Sequence, residues 1–91
     1  MPFQPDNPMH YTYVLQSSKD GRWYTGVTAD LRTRLASHLK GRVGSTRHRR
    51  PLTLIYYEAC LSEADARRRE PYLKMGKGKR YLRQRLARRL W

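Results

Sequence analysis

The chain has 91 residues, a length that suits one domain with a modest hydrophobic core. It carries 20 Lys and Arg against 7 Asp and Glu, and its net charge of +13 favours a polyanion such as DNA, RNA or an anionic membrane. No apolar run approaches the roughly 20 residues of a membrane-spanning helix, and we find no secretory signal. The single cysteine, Cys60, excludes an intrachain disulfide and favours a reducing compartment, which we take to be the cytoplasm.

The first third of the chain predicts an irregular arm followed by a β-hairpin. Prolines dominate residues 1–9, whereas the aromatic and β-branched residues of 10–16 predict a strand. Asp-Gly at 20–21 predicts a tight turn, and residues 22–27 then form the return strand.

A helix is predicted after the hairpin, because leucine recurs every fourth residue at Leu31, Leu35 and Leu39. Thr28 is the expected cap, Asp30 suits the positive first turn, and Gly41 ends the helix. A basic loop follows at 42–51.

The rest of the chain predicts one more strand and two helices. Residues 52–59 are apolar enough for a strand that is central or covered on both faces. Ser62 can cap the next helix, with Asp65 as a weak capping-box partner. Gly76 and Gly78 then break the chain, and a very basic last helix at 79–91 carries a leucine stripe at Leu82, Leu86 and Leu90.

The order strand, strand, helix, strand, helix, helix predicts an α+β fold, a small antiparallel sheet with helices packed on it. We find no repeat and no linker, so residues 10–91 are expected to form a single domain.

A candidate catalytic set lies in the hairpin and the first helix, at Tyr13, Tyr24, Arg34 and His38. A two-residue turn would pair Tyr24 with Ser17, which shares a face with Tyr13. Arg34 and His38 are four residues apart and therefore neighbours on one helix face. The alternative is two half-buried strand tyrosines beside a solvated Arg-His face.

Glu70 is the candidate metal ligand. It lies on a helical stripe with Ala66 and Leu73, so its carboxylate is expected to face inward, where carboxylates are rare unless they are paired or bind metal. The alternative is an ion pair with Lys74 one turn later, or with Arg34 across the core.

These residue types can hydrolyse a phosphodiester. A carboxylate, waters and phosphate oxygens can hold one Mg²⁺ or Mn²⁺ ion, which polarises the phosphate. An arginine can neutralise the growing negative charge. A tyrosine accepts a proton from water only as phenolate, and its ordinary pKa is about 10, so cations must lower that pKa. Arg34 or His38 could do so, or His38 could accept the proton instead.

At this point the chain resembles the GIY-YIG nuclease superfamily over about residues 11–82. The resemblance lies in TYVL at 12–15, YTG at 24–26, DLRTRLASH at 30–38 and the later Glu70. Further stretches are typical of its small single-domain branch, related to the repair nuclease UvrC: STRHRRPLTLIYYEA at 45–59, EADARRRE at 63–70 and GKGKR at 76–80.

The resemblance implies a three-stranded antiparallel sheet flanked by helices and an endonuclease that acts on nucleic acid, DNA more than RNA. It implies that Tyr13 or Tyr24 is the general base. Arg34 would contact the scissile phosphate, His38 would assist proton transfer, and Glu70 would hold the single divalent ion.

Basic residues of the loop and the later helices are expected to bind nucleic acid: Arg47, His48, Arg49, Arg50, Lys74, Lys77, Lys79 and Arg80. Two positions depart from the family pattern. Tyr11 stands where the first motif has glycine, and Pro71 follows Glu70 directly. A proline inside a helix removes a hydrogen bond and costs about 3 kcal/mol, so it could turn the Glu70 carboxylate. We also identify no match to the asparagine that some members place after the glutamate.

Two other function classes stay open. The basic loop and the last helix would suffice for a nucleic-acid-binding module without cleavage. A basic structural protein, for example one associated with ribosomes, would use the tyrosines as core. Neither class explains Glu70 on an inward stripe. The sequence leaves open the strandedness and base preference of the substrate and the oligomeric state.

Overall fold

A computed structural model describes residues 8–90, with side chains up to residue 88. Most of the arm predicted at 1–9 lies outside these residues. The elements confirm the α+β class and the predicted order of three strands and three helices, to which a one-turn helix is added at the end. They are β1 His10–Ser17, β2 Trp23–Thr28, α1 Leu31–Leu39, β3 Leu52–Cys60, α2 Glu63–Lys74, α3 Gly76–Arg85 and α4 Ala87–Leu90, with a 3-10 turn at Arg47–Arg49.

The sheet is antiparallel in the order β2-β1-β3, so β1 is the central strand. β1 is buried although it carries hydroxyl residues, because those hydroxyls find partners. Thr12 Oγ1 donates to the Ala66 carbonyl at 2.8 Å, and Ser17 Oγ donates to the Arg49 carbonyl at 2.6 Å. Satisfied in this way, polar side chains can occupy a core strand.

Residues 52–59 were expected to form a strand that is either central or covered on both faces. The central position is wrong, because β3 is an edge strand. Both faces are partly covered: Leu54 packs against the buried residues on one side of the sheet and Ile55 against those on the other, although Tyr57 stays 51% exposed.

The hairpin has a longer loop than the predicted two-residue turn. Ser17 N donates to the Arg22 carbonyl at 2.9 Å and Gly21 N donates to the Ser17 carbonyl at 2.8 Å, with Gly21 at φ 75°. Tyr24 therefore pairs with Leu15, not with Ser17. Since side chains alternate along a strand, this two-residue shift leaves Tyr24 on the predicted face.

The ends of α1 are set by Asp30 and Gly41. The Asp30 side chain accepts from Thr33 N at 3.1 Å, so the cap is Asp30 and the prediction of Thr28 is wrong. Gly41 takes φ 76° and donates to the His38 carbonyl, which closes the helix as predicted for a terminal glycine.

The buried face of α1 is centred differently from the predicted leucine stripe. Leu39 is 48% exposed, whereas His38 is completely buried. At about 100° per residue, His38 lies about 20° from Leu31 around the helix and Leu39 about 80° away, which explains the difference.

α2 begins as predicted, since the Ser62 side chain accepts from Asp65 N at 3.3 Å. The Asp65 carboxylate pairs with Arg68 instead of closing a capping box. Pro71 lies within α2, and the helix continues past it to Lys74.

The prediction that Gly76 and Gly78 break the chain before one helix at 79–91 is wrong. α3 begins at Gly76 and ends at Arg85, ahead of the short α4. Gly78 is buried in α3, and a Cβ there would collide with the carbonyl of Tyr72. This glycine lets α3 approach α2 closely, which a side chain would prevent.

The sheet separates two hydrophobic clusters. One contains Tyr13, Leu15 and Leu52, packed with side chains of β2 and α1. The other contains Val14, Leu73 and Leu82, packed with side chains of all three strands, α2 and α3. No helix among residues 8–90 is long and apolar enough to cross a membrane.

Candidate active site

Two tyrosines and a histidine meet on the α1 side of the sheet. The ring centroids of Tyr13 and Tyr24 are 6.3 Å apart. The ring centroid of His38 lies 5.6 Å from that of Tyr13 and 5.2 Å from that of Tyr24. The hairpin and α1 thus bring together three of the predicted catalytic residues.

Gly26 makes room for the Tyr13 hydroxyl. It is the β2 partner of Tyr13, and a Cβ at this position would lie 2.5 Å from Tyr13 Oη. The glycine of the YTG motif therefore permits the position of the tyrosine on the neighbouring strand.

His38 is held at both ring nitrogens. Nε2 lies 2.8 Å from Tyr13 Oη, and Nδ1 lies 2.7 Å from Thr46 Oγ1. Burial, and after it the positive charge of Arg34, lowers the pKa of His38 below its ordinary value of 6.5. The neutral imidazole therefore predominates at pH 7.

Arg34 is the fourth member of the predicted set, and it acts on Tyr13. Burial raises the pKa of Tyr13 above its ordinary value of 10.0, while the Arg34 guanidinium lowers it. Tyr13 in turn raises the pKa of Arg34. Arg34 thus favours the phenolate that burial disfavours. We call Tyr13, Tyr24, Arg34 and His38 the tyrosine cluster.

Glu70 lies apart from the tyrosine cluster, in the layer formed by α2 and α3. Its side chain is 31% exposed, so the expected inward orientation is only partly realised. Its ion-pair partner is Lys74 at 3.2 Å, the first of the two predicted alternatives, and not Arg34. Among the described residues no group of three or more His, Cys, Asp and Glu side chains could hold a metal.

Tyr24 of the tyrosine cluster and Lys74, the ion-pair partner of Glu70, line a groove beside the edge strand β2. Tyr24 and Lys74 line one cavity of about 240 Å³, which shares Trp23 and Lys79 with a larger cavity of about 700 Å³. We name the two cavities together the basic groove. The larger cavity is lined by Asp20, Gly21, Arg22, Trp23, Arg49, Lys79 and Arg83.

Only part of the predicted nucleic-acid-binding set lines this groove. Arg49, Lys74 and Lys79 do so. The other predicted residues line neither of its cavities: Arg47, His48, Arg50, Lys77 and Arg80. Arg50 instead donates to the Arg47 carbonyl at 3.0 Å and packs beside Gly41.

The sequence-based prediction missed Arg22 and Trp23, which line the groove but lie outside the basic run at 47–50. Arg83 of the predicted basic last helix lines the groove too. Thr46 of the predicted basic loop is completely buried beside His38.

Comparisons with known proteins identify the family of this chain. A family model described as the GIY-YIG catalytic domain matches residues 9–86. A UPF0213 protein of Desulfotalea psychrophila is 36% identical over 73 residues, which cover 78% of this chain and 66% of that protein. A UPF0213 protein of Halobacterium salinarum is 43% identical over 67 residues, which cover 72% of this chain and 86% of that protein.

A solved structure is also similar. The solution NMR structure of a UPF0213 protein from Bacillus halodurans is 36% identical, with a TM-score of 0.51 over 81% of each chain. The family match spans the tyrosine cluster, Glu70 and all residues that line the basic groove, so this chain belongs to the GIY-YIG catalytic domain family.

Proposed function

We propose that this protein is a divalent-metal-dependent endonuclease that hydrolyses phosphodiester bonds in nucleic acid, DNA rather than RNA. The observation that carries the proposal is the tyrosine cluster, in which His38 Nε2 lies 2.8 Å from the buried Tyr13 hydroxyl and the Arg34 guanidinium lowers the pKa of Tyr13. A tyrosine that only filled the core would not need a cation and an imidazole beside its hydroxyl. Membership of the GIY-YIG family supports the same activity.

The chemistry follows from what each group can donate or accept. A tyrosine phenolate takes a proton from water, the resulting hydroxide oxygen bonds to phosphorus, and the bond from phosphorus to the leaving oxygen breaks. Arg34 offsets the negative charge that grows on the phosphate oxygens. The leaving oxygen takes a proton from solvent, and the tyrosine returns its own proton to solvent before the next cycle.

Glu70 is the residue that would hold the metal. A single carboxylate fits Mg²⁺ or Mn²⁺, because such hard cations take oxygen ligands and complete their shell with water and substrate phosphate. The half-exposed position of Glu70 leaves room for those ligands, and Lys74 must then release it. When bound, the ion would supply Lewis-acid activation of the phosphate.

The basic groove offers a path for the strand on one side of the scissile bond. It leads from Tyr24 and Lys74 past Lys79 and Trp23 to Arg83. Four cations line the larger cavity against one acid, which suits a phosphate backbone. The ring of Trp23 provides an apolar surface on which a base can stack.

The test is a cleavage time course on single-stranded and double-stranded DNA and RNA, with Mg²⁺, with Mn²⁺ and with EDTA. We expect metal-dependent internal cuts in DNA, and a loss of rate of about 10² or more when the tyrosine that serves as base is replaced by Phe. The groove alone would also suit a binding module without cleavage. Protein that binds these substrates and cuts none of them with either metal would favour that module.

A further inference from the structure

The larger cavity of the basic groove is lined by two segments that lie far apart in the chain. The hairpin loop contributes Asp20, Gly21 and Arg22, and the segment before β3 contributes Arg49. Arg49 is partly buried, and within residues 8–88 no carboxylate forms an ion pair with its guanidinium. This guanidinium can therefore take a phosphate, provided that the backbone of Arg49 has a fixed position at the rim of the cavity.

The backbone of Arg49 is held at both of its polar atoms. Its N–H donates to the Thr46 carbonyl at 2.8 Å, and its carbonyl accepts from Ser17 Oγ at 2.6 Å. Thr46 is itself completely buried, and its N–H donates to the Val43 carbonyl at 3.1 Å. The side chain of Arg49 therefore extends from a point that is tied to the loop after α1 and also to the end of β1.

The Ser17 hydroxyl joins the two segments that line the cavity. Its Oγ donates to the Arg49 carbonyl and also accepts from Lys19 N at 3.1 Å, so a single hydroxyl binds both the hairpin loop and the segment before β3. Ser17 is 1% exposed, so water has little access to replace these bonds if the hydroxyl is removed.

Two further hydrogen bonds run beside the one from Ser17. Ser18 N donates to the Pro51 carbonyl at 2.9 Å, and Lys19 Nζ donates to the His48 carbonyl at 3.3 Å. These two donors are exposed, whereas Ser17 is buried, so the Ser17 hydroxyl is the tie that water competes with least.

We propose that Ser17 is a positioning residue for nucleic-acid binding, which holds Arg49 at the rim of the basic groove so that its guanidinium contacts a backbone phosphate. An arginine whose backbone is already fixed loses less conformational freedom when it binds, so the complex is favoured. The proposal rests on the proposed function in one respect, that the groove binds nucleic acid, and it does not require cleavage.

Ser17→Ala removes the hydroxyl and tests the proposal by binding. The probe is a mixed-sequence single-stranded DNA oligonucleotide in buffer with EDTA, and we expect the affinity to fall about 3-fold to 10-fold. The slope of log affinity against log salt should become shallower by about 0.7, the effect of one lost phosphate contact on a single strand. Arg49→Ala should change the slope by the same amount. Anisotropy titrations at several salt concentrations measure both variants.

The double variant shows whether Ser17 acts through Arg49. Arg49→Ala keeps the backbone carbonyl to which Ser17 donates, so adding Ser17→Ala to it should cause no further loss of affinity. Losses that add in full would overturn the proposal, and so would a folded Ser17→Ala protein with the affinity and the salt slope of the wild type.

Thr12→Val is the matched control for stability. Thr12 is also a buried hydroxyl residue of β1, and it donates to the carbonyl of Ala66, which does not line the groove. Both variants should lower the melting temperature, because each leaves a backbone carbonyl without its donor. Only Ser17→Ala should weaken binding. An equal loss of affinity in Thr12→Val would overturn the proposal, since Ser17 would then act through overall stability alone.

A measurement on the wild-type protein decides the question if Ser17→Ala does not fold. ¹⁵N relaxation of the free protein should give Arg49 the order parameter of a rigid backbone, about 0.85, and a value below about 0.6 would overturn the proposal. A wild-type protein that binds no nucleic acid would overturn it too. If the protein binds as expected and cuts nothing, the nuclease function fails while the role of Ser17 holds.

Discussion

The Tyr13 side chain packs against Gly26 of the neighbouring strand β2 so closely that Gly26 has no space for a Cβ. The added atom would lie 2.5 Å from Tyr13 Oη, 2.6 Å from its Cζ and 3.0 Å from its Cε1. Since Tyr13 is 1% exposed and packed on its other sides, its ring has nowhere to move without disturbing the core.

Gly26→Ala should therefore displace the Tyr13 hydroxyl from His38. We expect a loss of stability of about 1–3 kcal/mol from overpacking, and a larger proportional loss of cleavage. Gly44→Ala is the matched control, because a Cβ at Gly44 meets no atom within 4 Å. Melting curves and cleavage rates of the two variants check this, and a Gly26→Ala protein with wild-type values of both would contradict the close approach.

The apolar stripes of α1 and α2 show what sequence periodicity can predict and what it cannot. Leucines four residues apart predicted α1. Since four residues turn the helix by slightly more than one full turn, each leucine of the series lies further around the helix than the one before it. His38 therefore lies at the centre of the buried face, and Leu39 does not. On α2, Ala66 and Leu73 are within about 20° of each other, while Glu70 lies about 40° from Ala66 and is half-buried. The leucine and alanine patterns predicted that both segments are helices. Finding the centre of each buried face also required the rotation of about 100° per residue around the helix axis.

Strand order and the groove were harder to predict. β1 takes the central position with buried hydroxyls at Thr12 and Ser17, whose acceptors lie 54 and 32 residues away along the chain. Arg22, Arg49 and Arg83 meet at the groove from three separate elements. Such contacts between distant segments leave no local signal, whereas Tyr13, Tyr24, Arg34 and His38 could be predicted from motif spacing.

Glu70→Ala should abolish metal-dependent cleavage and leave the fold intact. The pair with Lys74 is partly exposed, at 31% and 55%, so its loss should cost only about 0–1 kcal/mol. Glu63→Ala is the control, because it removes an equivalent exposed pair with Arg67 on the same helix. Cleavage that survives in Glu70→Ala but is lost on adding EDTA would place the metal elsewhere.

Lys79→Ala combined with Arg83→Ala should weaken nucleic-acid binding and reduce the salt dependence. If each cation neutralises one phosphate, the slope of log affinity against log salt should become shallower by about 1.5. Lys40→Ala combined with Arg42→Ala removes the same charge outside the groove. Anisotropy titrations at several salt concentrations compare the two double variants, and equal slopes for both would mean that the groove has no special part in binding.

The stability of the protein should fall in mild acid because of His38. Its pKa is lowered in the folded state, so between the ordinary value of 6.5 and the lower folded value the unfolded chain binds the extra proton. Stability is therefore full above about pH 6.5 and decreases as the pH falls below it. Thermal melts between pH 5 and pH 8 measure this, and the dependence should flatten in His38→Gln and persist in His48→Gln.

The rate of cleavage should rise with pH beyond neutrality. The active form of a tyrosine base is the phenolate. If Tyr13 is the base, burial raises its pKa above 10.0, so the fraction of phenolate is small at pH 7 and grows about tenfold per pH unit. Single-turnover rates from pH 6 to pH 9 should follow that slope. A plateau that begins below pH 8 would indicate another group as base.

Both faces of β1 are buried, and this restricts how the sequence of such a protein can change during evolution. Tyr13 and Val14 are successive residues that belong to different hydrophobic clusters on opposite sides of the sheet. A change in this strand affects either the proposed cleavage site or the packing of α2 and α3, so the strand offers almost no neutral positions. Adaptation to a new substrate should therefore accumulate in the hairpin loop at 18–22, where insertions change the rim of the groove and leave both clusters untouched.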